Sequence, residues 1–306
     1  MTSLTISKWW DRGEGKSVKI PGAATQGRAW SLDDVPYAQI DRSHLRDSAV
    51  LFYLVTSASF IEITTALYTR NLVEHFKGNA AAQAWLSEHW LPEEVQHGQA
   101  LKRYVQEAWP EFDWERAFRH FYDAYSAVCT SESLEPDQGM EMVSRCVVEV
   151  GTSTYYTALG NWAGEPVLRK LCGYIARDEV RHYTYFHTYF RQYSKQADYG
   201  RWRVLRAILR RLAIIENEDL PIAAASVQLG LPEGHDFRGM DYQRLLPQAA
   251  RALRPFYPYR TAAQMLLRPL ALRQSVSRAL TPVLTGTARL VMLRRTMGDK
   301  GSSRAA

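Results

Sequence analysis

Two parts of the chain repeat one arrangement of glutamate and histidine, and this repeat limits the possible folds more than any other feature. Glu62 is followed 32 residues later by Glu94-Val95-Gln96-His97, and Glu149 is followed 30 residues later by Glu179-Val180-Arg181-His182. Residues three apart on a helix project from one face, so each Glu and its His can reach a common point. At about 1.5 Å per residue, some thirty residues let a long helix turn back and meet its partner near mid-height. The repeat therefore predicts two helical hairpins that bring four carboxylates and two imidazoles to one level.

The surroundings of the two isolated glutamates favour a metal site. Glu62 lies in SASFIEITTAL and Glu149 in RCVVEVGTST, where a buried carboxylate without a partner would cost several kcal/mol. A single Glu-x-x-His is common on helices and carries no meaning, but two copies with matched upstream glutamates form the ligand set of di-iron and di-manganese bundles. The predicted metal ligands are Glu62, Glu94, His97, Glu149, Glu179 and His182. Carboxylates with imidazoles suit two iron ions (Fe2+/Fe3+), which fit oxygen chemistry, and manganese is the alternative.

The rest of the pattern is helical, and no strand alternation is sustained, so the predicted class is all-α. We expect a ferritin-like four-helix bundle with additional helices over 43–216. The predicted helices are 43–76, 80–108, 114–132, 137–160, 166–194 and 199–216. Pro92 predicts a kink or split near Leu91, because proline lacks the N–H of a helix interior.

Two further segments flank this bundle. Residues 1–42 are broken by Gly and Pro and predict an N-terminal arm, anchored by Trp9, Trp10 and Trp30. Residues 217–306 predict a basic, mostly helical C-terminal extension, with a disordered tail from Gly298. The charge is uneven: 201–306 holds 18 basic and 7 acidic residues, whereas 1–200 carries a net −5. This asymmetry fits an anionic partner, or alternatively no more than solvated basic faces.

Targeting patterns and cysteine spacing indicate where the protein is located. We find no secretory signal pattern and no apolar stretch of roughly 20 residues. The three cysteines, Cys129, Cys146 and Cys172, have no metal-type spacing and predict reduced thiols. These features predict a cytoplasmic protein.

Two short motifs carry a family resemblance. Glu93-Glu94-Val95-Gln96-His97-Gly98 and Asp178-Glu179-Val180-Arg181-His182 resemble the E-E-x-x-H-G and D-E-x-R-H motifs of soluble acyl-[acyl-carrier-protein] desaturases. The likeness covers roughly 43–195 and extends to Thr152, three residues after Glu149.

The resemblance implies roles for individual residues. Glu94 and Glu179 would bridge the two ions, with Glu62 and Glu149 as terminal ligands. Asp178 would orient His97 and could relay electrons, unless it is an ordinary surface acid beside Arg181; Glu93 is its symmetric counterpart. Thr152 could give a proton or hydrogen bond on the oxygen-binding side, or could simply pack a helix contact. Three aromatic residues could line a substrate channel: Phe186, Tyr155 and Tyr156.

The predicted function is dioxygen-dependent oxidation of an unactivated C–H bond, most simply in an acyl chain. Desaturation, hydroxylation and N-oxidation stay open. The substrate could arrive on acyl carrier protein or as another small molecule. Because the sequence has no flavin, nicotinamide or Fe–S motif, we expect an external ferredoxin-type electron donor.

An iron-handling ferroxidase without an organic substrate is the alternative function. An apolar channel at the metals would favour the oxygenase, whereas an acidic entry would favour the ferroxidase. Arginines between leucines over 260–296 could contact a membrane surface. Nothing resembles a nucleic-acid-binding motif, and a homodimer is the expected assembly.

Overall fold

A computed structural model describes residues 29–45, 47–214 and 219–297. All regular secondary structure in these ranges is helical, which confirms the all-α prediction. The predicted anchors Trp9 and Trp10 and the tail from Gly298 lie outside the described residues. The α-helices are α1 (Ala49–Ile63), α2 (Thr65–His75), α3 (Ala80–Trp85), α4 (Leu91–Ala108), α5 (Trp114–Val128), α6 (Gln138–Trp162), α7 (Pro166–Gln196), α8 (Arg201–Ile214), α9 (Leu220–Gly230), α10 (Tyr242–Leu253), α11 (Tyr259–Leu267) and α12 (Gln274–Met297).

The single helix predicted over 43–76 is wrong, because the chain bends by 42° between α1 and α2. α1 begins only after Ser48, whose side chain accepts a hydrogen bond from the Leu51 N–H. At the bend, the Thr64 hydroxyl donates to the carbonyls of Phe60 and Ile61, at 3.0 and 2.9 Å. A hydroxyl that bonds these carbonyls competes with the backbone and bends a helix. Glu62 therefore lies in the last turn of α1, just before the bend.

The kink or split predicted near Leu91 takes the form of a π-helical turn inside a continuous helical stretch. α3 ends at Trp85, a π-helical turn covers Leu86–Trp90, and α4 begins at Leu91. Pro92 then occupies the first turn of α4, where a missing N–H costs nothing. This start places Glu94 in the first turn and His97 one turn later. The other predicted helices agree with the structure within four residues at each described end.

α6 and α7 form the longest helical pair. The turn between them uses Gly164 at φ +71°, a conformation that favours glycine. Glu165 then caps α7 by accepting hydrogen bonds from the N–H groups of Val167 and Leu168. The two helices pack along their length, α1 packs against α4, and α4 packs against α7. Four helices thus carry the predicted ligands: α1, α4, α6 and α7.

The C-terminal helices pack onto this core. α9 contacts α1 and α5, α10 contacts α1 and α6, and α11 contacts α6. Phe237, after α9, lies against Phe52 of α1 with ring centroids 5.5 Å apart. α12 packs against α10 and α11. The domain boundaries predicted at 42/43 and 216/217 stay a prediction.

No single helix in the described ranges is long and apolar enough to cross a bilayer. The bent pair α1–α2 passes by length and composition alone, and most of α1 is buried inside the protein.

Gly98 sets the distance between α1 and α4. A Cβ built on Gly98 would lie 2.6 Å from the Ile63 backbone nitrogen and 3.0 Å from the Glu62 carbonyl carbon. Both atoms are backbone and cannot rotate away. Gly98 therefore lets α4 approach the turn of α1 that carries Glu62.

We predict that Gly98→Ala destabilises the protein by about 1–3 kcal/mol, because the added methyl group forces the two backbones apart. Gly286→Ala is the matched control, since nothing lies within 4 Å of its Cβ position. That helical change should be neutral or stabilising by up to about 1 kcal/mol. Denaturant unfolding of both variants measures the difference, and equal stabilities would contradict this packing.

Candidate metal centre

The structure brings all six predicted ligands together in one buried cluster. None of the six side chains belongs to a residue more than 6% exposed. Their ligand atoms form two groups of four, and in each group the atoms lie within 4.8 Å of one another. Glu94 and Glu179 belong to both groups, Glu62 and His97 complete the first, and Glu149 and His182 complete the second. This is the shared-carboxylate arrangement that the sequence predicts, and ligation of metal by these residues stays a prediction.

The two shared carboxylates each face both imidazoles. His97 Nδ1 lies 3.3 Å from Glu179 Oε1 and 3.7 Å from Glu94 Oε2. His182 Nδ1 lies 3.0 Å from Glu94 Oε1 and 3.7 Å from Glu179 Oε2. In each of these carboxylates, one oxygen therefore faces His97 and the other faces His182. A carboxylate that bridges two metal ions presents its oxygens in this way.

Both imidazoles are held from behind by a carboxylate. His97 Nε2 lies 3.0 Å from Asp178 Oδ2, and His182 Nε2 lies 2.7 Å from Glu93 Oε2. Such a contact fixes the ring orientation and leaves Nδ1 free to act as a ligand. Both Nδ1 atoms are buried, and neither has a hydrogen-bond partner of acceptable geometry among the described residues. The predicted contact between Asp178 and His97 is therefore present, while a catalytic role for Asp178 stays a prediction.

Arg181 joins the two supporting carboxylates. Its Nη1 lies 2.8 Å from Asp178 Oδ1, and its Nη2 lies 2.9 Å from Glu93 Oε2. One guanidinium thereby holds the partners of both histidines in a fixed relation. Sequence reasoning noticed Arg181 only as a neighbour of Asp178, although its place inside the D-E-x-R-H motif was a usable signal.

Trp30 is a second contributor that the sequence did not assign to the centre. Its indole N–H donates to Asp178 Oδ2 at 2.7 Å, and its ring stacks on those of His97 and Tyr174. Gln96 donates to the Trp30 carbonyl at 3.0 Å. Trp30 is therefore anchored to the body beside the cluster, while the anchoring of the whole segment 1–42 stays a prediction.

Two hydroxyl groups contact the glutamates directly. Thr152 donates to Glu179 Oε2 at 2.8 Å, and the Tyr156 hydroxyl donates to Glu62 Oε1. Thr152 therefore lies against the cluster, although its role in proton delivery stays a prediction. Tyr155 instead donates to the Leu54 carbonyl at 3.1 Å, and Phe186 packs on Trp85 and Trp90.

Burial and mutual repulsion shift the protonation of the glutamates. Burial, followed by the charges of Glu94 and Glu179, raises the pKa of Glu62 well above its usual value. Burial and the charge of Glu179 do the same to the pKa of Glu149. Burial would also raise the pKa of Glu179, but its contacts with His182 and His97 outweigh burial and hold that pKa well below its usual value.

For the two histidines, burial and the neighbouring carboxylates shift the pKa in opposite directions. Burial would lower the pKa of His97, but the carboxylates of Asp178 and Glu179 raise it well above its usual value. Glu179 and Glu93 raise the pKa of His182 in the same way. Without metal, the cluster therefore holds extra protons to offset its four carboxylates. Two divalent cations would balance the four negative charges, and a set of oxygen and imidazole donors fits iron or manganese.

A groove lies beside the cluster, between α6 and α7. It has a volume of about 460 Å³ and contains no carboxylate in its lining. Tyr156 belongs to that lining and also donates to Glu62, so a single side chain connects the groove to the centre. The residues that line it are Tyr156, Thr157, Gly160, Asn161, Arg169, Gly173, Ala176, Arg177 and Val180.

Comparison with protein families agrees with this site. A family model described as fatty acid desaturase matches residues 54–215, which is just over half of the chain. The chain belongs to this fatty acid desaturase family. The matched range includes all six clustered residues together with Thr152 and Asp178, and the match indicates an oxidoreductase that could bind metal. No curated protein matches the chain significantly.

The raised pKa values predict how the metal-free protein responds to pH. Glu62 and Glu149 bind protons above the ordinary value of 4.5, and the two histidines keep theirs above 6.5, so the folded state holds more protons than the unfolded state. Stability should then fall between pH 6 and pH 8, by about 1.4 kcal/mol per pH unit for each extra proton. The pKa values of Glu94 and Glu179 are lowered from 4.5, so the stability that these two groups contribute is fully present above that pH. It does not change between pH 6 and pH 8.

Denaturant unfolding of the chelated protein at pH 6, 7 and 8 measures this slope. Addition of ferrous iron should reverse it, because metal binding displaces protons and strengthens with pH. Glu62→Gln combined with Glu149→Gln should reduce the slope of the metal-free protein. A metal-free protein that becomes more stable from pH 6 to pH 8 would contradict the electrostatics of the cluster.

Proposed function

We propose that this chain is a di-iron, dioxygen-dependent desaturase of acyl chains. The observation that carries the proposal is the pair of overlapping buried ligand groups that share Glu94 and Glu179. Membership of the fatty acid desaturase family supports the substrate class. The two motifs that resemble soluble acyl-[acyl-carrier-protein] desaturases support the finer proposal that acyl carrier protein delivers the chain.

Two iron ions bound to these six residues would supply the activation of dioxygen and the oxidation of an unactivated C–H bond. Forming one double bond removes two hydrogens, and reducing dioxygen to two waters then needs two further electrons and two protons. We propose an external ferredoxin-type donor for these electrons. A cytoplasmic location and a homodimer stay predictions.

The chain's own residues orient the ligands and exclude water. Asp178 and Glu93 hold the Nε2 side of each histidine, which keeps both Nδ1 atoms directed at the cluster. Arg181 contacts both of those carboxylates and keeps them in place. The Thr152 hydroxyl donates to Glu179 Oε2, with 2.8 Å between the two oxygens, so its proton can be given and regained there. The buried cluster thus has a fixed geometry and a nearby proton.

The groove between α6 and α7 favours an organic substrate over the ferroxidase alternative. Ferrous entry would need acidic residues, whereas the lining of this groove holds none. Its volume of about 460 Å³ falls in the range of small-ligand sites. Arg169 and Arg177 line it as well, which suits an acyl substrate that carries an anionic group.

The test is to load the full chain with ferrous iron and supply acyl-[acyl-carrier-protein], ferredoxin, a reductase and dioxygen. We predict a product that has lost two hydrogens, detected by mass spectrometry. A product with one added oxygen would instead make the chain a hydroxylase. Dioxygen consumption without any organic product would contradict the proposal and favour a ferroxidase.

Gly173 offers a sharp test of the groove as the substrate site. Nothing lies within 4 Å of its Cβ position, and because Gly173 lines the groove, a larger side chain there would take up part of the groove. We predict that Gly173→Leu lowers kcat/KM by about tenfold or more and favours shorter acyl chains. Gly173→Ala is the matched control and should retain most activity. Equal activity of the two variants, with iron content unchanged, would exclude this groove.

A further inference from the structure

α12 presents most of its valine and leucine side chains to the outside. Thr281, Thr285, Ala288 and Met292 lie on the face turned toward the protein, at helical spacing, and each is at least partly buried. The opposite face carries six aliphatic side chains that are 37–60% exposed. These residues are Val276, Leu280, Val283, Leu284, Leu290 and Val291. We refer to these six residues as the α12 stripe.

This arrangement is the reverse of an ordinary surface helix. Such a helix buries its apolar stripe and gives small or polar residues to water. A contiguous exposed apolar patch usually marks an interaction site. The stripe from Val276 to Val291 spans about 22 Å at 1.5 Å per residue, long enough to lie along a surface.

The segment that carries the stripe has only positive formal charges. Residues 242–297 contain ten arginines and no aspartate, glutamate or lysine. Arg273, Arg278, Arg289 and Arg294 lie on α12 or directly before it, and all four are exposed. A helix with exposed aliphatic residues and flanking arginines has the composition of helices that lie in the interface of anionic membranes.

The same charge argues against a second copy of the chain as the occupant. A symmetric dimer through the α12 stripe would place these arginines against their own counterparts. The segment 242–297 contains no acidic residue that could pair with them. An anionic lipid surface accepts both the arginines and the aliphatic side chains.

α8 adds a second exposed set near the beginning of α12. Trp202 is 84% exposed, and Leu209 and Leu212 are 57% and 43% exposed. Arg201 donates to the carbonyls of Leu270 and Ala271, just before α12, so the start of α8 is fixed to that segment. Tryptophan favours the headgroup level of a bilayer, where its ring is partly apolar and its N–H stays hydrated.

We propose that α12, with its stripe of six aliphatic residues and its arginines, docks the protein on the surface of an anionic membrane. The helix lies in the headgroup region and does not span the bilayer. Docking is independent of the metal centre, so this inference and the proposed desaturase activity can fail separately.

Co-sedimentation of the full chain with vesicles tests the proposal. Vesicles of phosphatidylglycerol and phosphatidylcholine should bind the protein, and vesicles of phosphatidylcholine alone should bind it much less. Val283→Ser should weaken binding to the anionic vesicles by about tenfold. Val128→Ser is the matched control, because Val128 on α5 is 58% exposed and Val283 is 60% exposed. Arg278→Gln combined with Arg294→Gln should also weaken binding, by about tenfold or more.

Several results would overturn the proposal. One such result is wild-type protein that does not bind anionic vesicles. Another is equal binding by the Val283→Ser and Val128→Ser variants. Binding that falls with salt but does not respond to Val283→Ser would be electrostatic attraction alone. A change from dimer to monomer in Val283→Ser, with vesicle binding unchanged, would assign the stripe to a second copy. Melting temperatures equal to wild type show that each variant is folded.

Discussion

Four carboxylates share one buried volume, and their mutual repulsion is the constraint on which the surrounding structure depends. In water such groups would separate, but α1, α4, α6 and α7 hold them in two overlapping groups, and within each group the ligand atoms lie within 4.8 Å of one another. The protein tolerates this only because cations or protons offset the charge. The supporting contacts follow from the same need. Asp178 and Glu93 orient the imidazoles, and Arg181 pairs with both of these acids.

Two glycines show how the helices create both the centre and access to it. Gly98 removes a side chain where α4 must approach the backbone of α1, which brings Glu94 and His97 toward Glu62. Gly173 leaves open space on α7, where the groove runs past Tyr156. The missing side chain of Gly98 allows the two backbones to touch, and the missing side chain of Gly173 leaves the groove open. Together they place a buried charged cluster beside an open groove.

Helical spacing made the cluster predictable from the sequence, because an interval of three residues becomes a shared face and an interval of about thirty becomes a hairpin. The apolar surroundings of Glu62 and Glu149 added that these carboxylates are buried, and the missing N–H of Pro92 predicted an irregularity in the second helix. The bend at Thr64 was missed because a threonine hydroxyl can bond carbonyls or simply face water. Trp30 lies 148 residues from Asp178 in sequence, and no local pattern links such partners. The donation from Tyr156 to Glu62 likewise depends on how α1 and α6 pack.

The central claim is that this cluster holds two metal ions. Diffraction from crystals of the iron-loaded full chain, recorded at the iron absorption edge, tests it most directly. The account predicts two anomalous peaks per chain, one beside Glu62 and His97 and the other beside Glu149 and His182, with Glu94 and Glu179 between them. A single peak, or iron bound only elsewhere on the protein, would contradict it.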